Sequence, residues 1–267
     1  MGLQLQVLDK KGVCMSRANG ENSALLVHKN RYHRGDTVMF ICDVPGFYEV
    51  MLEDTMPPTL VYVEKQAKFV IPFGTMPRVG YSPRAFKSVQ HLLTARRANP
   101  AMITARRNLA LNPYDQHGET GMFPHASANV ETRNEALFAA RNAIDGMFAN
   151  HAHYPYPFQS WGINKDPHAE LTVQFGVPVS IDTVVLTLRA DYPHDSYWTQ
   201  ATLEFSDGSD ITISLEKSDA PQAFSCVKQA ITWVKLKNLM KHEDESPFPA
   251  LTQIEVWGTV TEETNHG

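Results

Sequence analysis

The stretch Leu171-Thr-Val-Gln-Phe-Gly-Val-Pro-Val-Ser-Ile-Asp-Thr-Val-Val-Leu-Thr-Leu188 decides the fold class of this chain. Its first part, from Leu171 to Phe175, alternates apolar and polar residues, which is the period of a strand with one buried face. Its last part, from Val184 to Leu188, is nearly all apolar, as expected for a strand inside a sandwich. Two consecutive strands with these patterns predict a buried sheet at the centre of the chain.

Similar patterns recur along most of the sequence, separated by short segments that contain Gly, Pro or Asp. Further strands are predicted at residues 36–43, 47–52, 59–64, 68–72, 201–206, 211–215, 231–236 and 251–257. Short strands at this spacing are typical of antiparallel sandwiches. Helical patterns are confined to residues 135–144 and to the apolar spacing of Phe86, Val89, Leu92 and Leu93.

These patterns predict an all-β chain with two domains. A small N-terminal β-sandwich occupies residues 1–80, and a basic, partly helical linker occupies residues 81–107. An independent jelly-roll sandwich occupies residues 108–260, and residues 261–267 form a polar tail. A length of 267 residues is sufficient for two hydrophobic cores.

Composition excludes several classes of function. A net charge of −5 without a long basic run argues against a dedicated nucleic-acid binder. No segment approaches about 20 continuous apolar residues, so no membrane insertion is expected. Cys14, Cys42 and Cys226 include no Cys-x-x-Cys pair, and the first residues lack a signal-peptide pattern. A cytoplasmic protein is therefore predicted, or an extracellular one if a signal peptide has been removed.

Five short motifs follow one another in a characteristic order. They are Asn108-Leu-Ala, Ala126-Ser-Ala, Ala143-Ile-Asp-Gly146, Ser160-Trp-Gly162 and Ile254-Glu-Val-Trp-Gly258. In this order, residues 108–258 resemble the discoidin / coagulation factor (F5/8) type C family. The resemblance implies a galactose-binding-domain-like jelly roll, a fold shared by many carbohydrate-binding modules. Protein-binding and phospholipid-binding members also exist.

The same resemblance implies a structural calcium ion. In that family, the aspartate of the Ala-x-Asp-Gly motif helps to hold the ion, together with loop carbonyls and a glutamate near the C-terminus. Asp145 and Glu255 occupy the matching positions, and carbonyl groups of residues 141–150 would complete the coordination. The alternative is that Asp145 holds a turn without metal.

The densest cluster of functional side chains lies between two predicted strands, at residues 189–198. Trp198 could stack on the apolar face of a sugar ring, while Arg189, Asp191 and His194 could hold its hydroxyl groups. The alternative is an internal salt bridge between Arg189 and Asp191 beside a packed aromatic ring.

A second rich loop covers residues 150–161. His153 and Tyr156 are its candidate ligand-binding residues, and His125 is a third candidate that precedes the loop. His151 and His153 could instead bind a transition metal if a third ligand came from elsewhere. Packing of the loop beneath the sandwich is the other alternative.

The predicted function is non-catalytic carbohydrate binding through these rim loops. One alternative is an enzyme that acts on a sugar, with His125, Arg189, Asp191 and His194 as acid–base and anion-holding groups. Another is a protein-interaction module whose aromatic residues form the interface of a homo-oligomer. Expected partners are thus a carbohydrate ligand and a second copy of the chain.

Overall fold

The computed structural model describes residues 2–152, 154–189 and 196–261. Strands account for 47% of the chain and helices for 8%, and the sheets are antiparallel, so the all-β prediction is confirmed. None of the helices within the described ranges has the length and apolar character needed to cross a membrane.

The N-terminal unit is a sandwich of two sheets. Its strands are β1 (Leu3–Leu8), β2 (Cys14–Gly20), β3 (Ser23–His28), β4 (Thr37–Ile41), β5 (Gly46–Met51), β6 (Thr59–Val63), β7 (Gln66–Val70) and β8 (His91–Arg97). One sheet has the order β2-β1-β4-β7, and the other contains β6-β5-β8-β3. Alternate side chains of β1, β3 and β6 are buried, so the two sheets share one core.

The segment predicted as a partly helical linker, residues 81–107, contains one short helix at Pro100–Thr104, but its middle is a strand of this sandwich. Strand β8 lies between β5 and β3 and is paired with both. Phe86 has a positive φ of 61°, which ends any helix at that point, and both Phe86 and Leu93 are buried in the N-terminal core. The helices in this part are the short α1 (Thr75–Arg78) and α2 (Pro100–Thr104), the second capped by the Asn99 side chain.

Three arginines of the same segment pair with carboxylates. Arg97 lies 2.5 Å from Asp43, Arg106 lies 2.6 Å from Asp182, and Arg96 pairs with Glu49. The charges of these three arginines are therefore matched by Glu49, Asp43 and Asp182.

The C-terminal unit contains a mixed set of short and very long strands. They are β9 (Arg107–Asn108), β11 (His125–Ala128), β12 (Trp161–Gly162), β13 (Leu171–Arg189), β14 (Trp198–Phe205), β15 (Asp210–Ser214), β16 (Gln222–Lys241) and β17 (Ala250–Val260). The main order is β12-β17-β13-β16-β14-β15, with β11 paired to β13 and β9 paired to β17. The short β10 (Met122–Phe123), which precedes β11, belongs to the N-terminal unit and completes a five-stranded sheet beside β6.

Bulges allow the long strands to enclose one core. The register of β13 shifts three times against β16 between Gln174 and Thr183, and a bulged strand bends. Val173, on one side of these shifts, and Leu186, on the other, belong to the same hydrophobic cluster. The predicted helix at residues 135–144 is instead a pair of short 3-10 turns, Ala136–Phe138 and Ala140–Ile144.

Residues 109–124 connect the two units and belong to both. Tyr114 and Met122 are buried in the N-terminal core, and β10 pairs with β6. Arg141 of the C-terminal unit lies 4.5 Å from the ring centre of Tyr81. Residues beyond the predicted boundary at residue 108 therefore help to complete the core of the first sandwich.

Candidate functional site

Arg189 ends strand β13 and lines a cavity, which we call the Phe248 cavity. The cavity has a volume of about 190 Å³, and its main lining side chains are Arg133, Phe138, Asn164, Lys165, Arg189 and Phe248. This volume is below the ~300–1,000 Å³ of pockets for drug-sized ligands, so it suits one sugar ring or the end of a glycan.

Aromatic rings and basic groups alternate around this cavity. The Lys165 ammonium lies 4.8 Å from the ring centre of Phe248, and the Arg133 guanidinium lies 5.6 Å from that of Phe138. The Arg189 guanidinium donates a hydrogen bond of 3.4 Å to the carbonyl of Phe248 and thereby holds the loop at residues 247–249. The described lining residues include three basic side chains and no acidic one.

The floor of the cavity depends on Gly162 in β12. A Cβ at this position would lie 2.7 Å from Thr132 Oγ1 and 3.1 Å from Phe138 Cδ1. Any larger residue would therefore displace Phe138, so the glycine of the Ser160-Trp-Gly162 motif preserves the shape of the site.

The expectation that Trp198 forms an exposed stacking surface is wrong. The side chain has 0% exposure and lies 6.4 Å from the ring of Trp161, which is also fully buried. Trp198 is the first residue of β14 and points inward, so its ring has no face for a ligand. Arg189 is also buried, with 3% exposure, although it reaches the cavity.

Two of the other predicted binding residues, Tyr156 and His125, do not line this cavity. Tyr156 is half-buried, and its backbone N–H donates to the carbonyl of Val79 at 2.6 Å. His125 is buried at the start of β11, away from the described cavity lining. His153, Asp191 and His194 lie outside the described residues.

His125 forms a buried pair with Asp115. His125 Nδ1 lies 2.7 Å from Asp115 Oδ1, and Asp115 Oδ2 accepts the Ala126 N–H at 2.8 Å. Burial lowers the pKa of His125, but the hydrogen bond and charge of Asp115 outweigh it and raise the pKa overall. The pair therefore ties β11 to the connecting segment.

The surroundings of Asp145 do not fit a calcium ion. Calcium takes oxygen ligands, whereas the carboxylate of Asp145 accepts three N–H donors. They are Gln159 Nε2, Gln253 Nε2 and the Met147 backbone, each at 2.8 Å. The Arg141 guanidinium adds a positive charge at 3.9 Å. Calcium at Asp145 and Glu255 stays a prediction, to which the described geometry gives no support.

The side chain of β17 that reaches Asp145 is Gln253. Its amide nitrogen lies within 2.8 Å of three oxygens: the carbonyls of Asn142 and Thr252, and Asp145 Oδ1. Its amide oxygen accepts the Gly146 N–H at 3.0 Å. Glu255 instead accepts the indole N–H of Trp257 at 2.8 Å. The Gln253 amide thus holds the loop in the place where an ion was expected.

Several residues of the Phe248 cavity were not predicted. Phe248 carried a usable signal, because an aromatic ring between Pro247 and Pro249 is held rigidly at the surface. No sequence pattern pointed to Phe138 or Lys165, because they lie in separate segments that come together only in the folded chain.

A larger and more open groove lies between the two sandwiches. It has a volume of about 780 Å³ and is lined by Phe73, Met76 and Tyr81 on one side and by His117, Glu135 and Arg141 on the other. Because it is open to solvent, this groove would bury less of a small ligand's surface than the Phe248 cavity.

No protein-family model and no curated protein matches the chain. Among solved structures, a chitosan-binding module from a chitosanase/glucanase of Paenibacillus sp. IK-5 is similar, with 18% identity and a TM-score of 0.40 over 58% of this chain and 100% of that one. The lectin domain of lectinolysin, complexed with Lewis B antigen, has 16% identity and a TM-score of 0.43 over 58% and 98%. The family 32 carbohydrate-binding module of C. perfringens NanJ, in complex with galactose, has 18% identity and a TM-score of 0.37 over 49% and 91%.

Proposed function

We propose that this protein binds carbohydrate without catalysis, and that the Phe248 cavity holds the terminal sugar. The observation that carries the proposal is the alternation of aromatic rings and cationic donors around one small cavity. An aromatic ring packs against the apolar C–H face of a sugar, while charged N–H donors bind its hydroxyl groups. Phe248 would supply the ring, since it is 37% exposed.

The charge of the cavity favours sugars with an acidic group. Arg133 is already paired with Glu135 at 2.8 Å, so its charge is partly offset. Lys165 is exposed and lies beside Phe248, where its ammonium can reach a ligand that stacks on the ring. Because a charge-assisted hydrogen bond is about twice as strong as a neutral one, a carboxylate on the sugar should raise the affinity.

The test is a glycan array followed by calorimetric titration of the best ligand. The array should include galactose, chitosan oligosaccharides, Lewis b and sugars that carry a carboxylate. Phe248→Ala should weaken binding about tenfold, because an aromatic contact of about 1–1.5 kcal/mol corresponds to roughly that factor. Lys165→Gln should weaken carboxylated sugars more than neutral ones and reduce the salt dependence of their binding.

Phe148→Ala is the matched control, because Phe148 is 49% exposed and does not line the cavity. It should bind like the wild-type protein. Gly162→Ala should reduce binding by displacing Phe138. Wild-type affinity in both Phe248→Ala and Lys165→Gln would overturn the site and redirect attention to the groove between the sandwiches. The absence of any glycan ligand would overturn the function.

A further inference from the structure

A buried polar cluster lies at one end of the five-stranded sheet of the N-terminal sandwich, far in sequence from the jelly-roll unit. His28 ends β3, His91 begins β8, and the two residues are paired across the sheet. Glu53 and Asp54 follow β5, the other neighbour of β8. His28, His91 and Glu53 are at most 1% exposed, whereas Asp54 is exposed. The topology thus brings two carboxylates to a buried histidine pair.

The hydrogen bonds of His91 define the orientation of its lone pair. His91 Nε2 lies 3.1 Å from the carbonyl of Ser88, which can only accept, so Nε2 carries the hydrogen. In the neutral ring, Nδ1 then has a lone pair, and Glu53 Oε2 lies 3.4 Å away from it. Neither His91 Nδ1 nor Glu53 Oε2 has a hydrogen-bond partner among the described residues. Two buried acceptors face each other, and this arrangement needs a proton or a metal cation between them.

The spacing of these atoms suits a metal ion. The ligand atoms of Glu53, Asp54 and His91 all lie within 4.8 Å of one another. Bonds of about 2.0–2.1 Å to a tetrahedral centre place neighbouring ligand atoms roughly 3.4 Å apart. The separation of 3.4 Å between His91 Nδ1 and Glu53 Oε2 is that distance, and it is long for a hydrogen bond.

The surroundings orient the ligands as metal sites require. A metal-bound histidine usually donates its other ring N–H to a carbonyl or carboxylate, as His91 does to Ser88. The Thr55 hydroxyl donates to Glu53 Oε1 at 3.2 Å and leaves Oε2 directed towards the histidine. The Tyr32 ring packs 4.0 Å from that of His91 and covers the site from the interior. Asp54 is exposed, so an ion can reach the three ligand side chains from solvent.

We propose that Glu53, Asp54 and His91 bind a divalent transition-metal cation, with zinc as the best fit. One imidazole and two carboxylates are ligands that zinc accepts, and three protein ligands leave a fourth position for water. The ion would join the loop after β5 to strand β8. It would also neutralise two carboxylates that are held beside each other at the edge of the core.

The test uses the full-length protein after removal of metal with a chelator. Titration with Zn²⁺, followed by native mass spectrometry, should give one ion per chain. The melting temperature should rise with Zn²⁺ by mass action, and more than with Mg²⁺ or Ca²⁺. Bound Co²⁺ should give the visible absorption of a four-coordinate site with one nitrogen ligand. Failure of wild-type protein to bind Zn²⁺, Mn²⁺ or Co²⁺ would overturn the proposal and leave a proton shared by His91 and Glu53.

Asp54→Asn is the decisive variant, because Asp54 is exposed and its amide should not disturb folding. It should weaken Zn²⁺ binding by at least about tenfold, as losses at supporting residues already reach 10–100-fold. His91→Gln should abolish the cobalt spectrum. Glu64→Gln is the matched control on the same sandwich, since Glu64 is exposed and lies outside the cluster. Equal Zn²⁺ affinity in Asp54→Asn and Glu64→Gln would show that the ion binds elsewhere and sink the proposal.

Discussion

At the scale of single residues, Gln253 explains how a buried aspartate can hold its loop by hydrogen bonds alone. Its two amide hydrogens are shared among three oxygens, and one of them belongs to Asp145. A glutamate at the same position would place a second carboxylate against Asp145, with carbonyl groups nearby. Such a set of oxygens repels itself without a cation and suits calcium with one.

We therefore predict that Gln253→Glu lowers the melting temperature of metal-free protein. Added Ca²⁺ should raise the melting temperature again. At a Ca²⁺ concentration of a hundred times the Kd, binding adds about 2.7 kcal/mol to the free energy of unfolding. The wild-type protein should show a smaller response, because Gln253 already supplies the hydrogen bonds. The measurement is thermal unfolding with and without Ca²⁺. An equal response of both proteins would contradict this account and favour the calcium predicted at Asp145 and Glu255.

Residue types alone did not reveal which aromatic side chains face solvent. Residues 189–198 combine Arg, His, Tyr and Trp, which is the composition of a sugar-binding loop, yet Trp198 is fully buried. The direction of a side chain in a strand depends on where the strand begins, and a shift of one residue reverses it. Phe248 is 37% exposed and lies between half-buried Pro247 and buried Pro249.

At the scale of elements, strands with strict alternation were predictable and the segment before β8 was not. Predicted strands at residues 36–43, 47–52 and 59–64 correspond to β4, β5 and β6 within one or two residues. The apolar spacing of Phe86, Val89 and Leu93 suggested a helix, but it begins in a turn at residues 83–86, passes through a bend at residues 89–90 and continues into strand β8. A periodicity counted across a turn does not predict a helix. The segment forms a strand because it pairs with β3 and β5.

The pair of His125 and Asp115 gives the connection of β11 a defined pH dependence. Besides Asp115, the group that raises the pKa of His125 is Glu119, while Arg141 faces Asp115. A histidine whose folded pKa is raised stabilises the protein fully below its unfolded pKa of about 6.5. That contribution is lost as the pH rises through the raised folded value.

We therefore predict that the stability advantage of the wild-type protein over His125→Gln shrinks as the pH rises above about 6.5. The measurement is urea unfolding at a series of pH values, with the difference between the two proteins isolating this histidine. His117→Gln serves as the control, because the side chain of His117 is 79% exposed. Parallel curves for wild type and His125→Gln would contradict a charged pair.

At the scale of the whole molecule, the two sandwiches share residues and should behave as one unit. Tyr114 and Met122 follow β9 of the second sandwich but have 0% and 1% exposure in the core of the first. Strand β10 also pairs with β6 across the junction. Full burial of one large apolar side chain contributes about 1.5–3 kcal/mol, so this junction stabilises both units substantially. The sequence motifs located the second sandwich but gave no sign of this overlap, because Tyr114 and Met122 match neither strand pattern.

We predict that the full-length chain unfolds in a single transition. All four tryptophans, at positions 161, 198, 233 and 257, lie in the C-terminal unit, so their fluorescence reports that unit alone. Far-ultraviolet circular dichroism reports both units. The two signals should coincide in urea, which is the test for an all-or-none transition.

Tyr114→Ala should separate the two unfolding curves, because it removes a side chain that is buried in the first core. Tyr154→Ala, at a side chain with 63% exposure, should not separate them. Fluorescence and circular dichroism that already diverge in the wild-type protein would show that the junction is too weak to couple the units. In that case a fragment beginning at residue 108 should fold as the independent domain that the motifs predict.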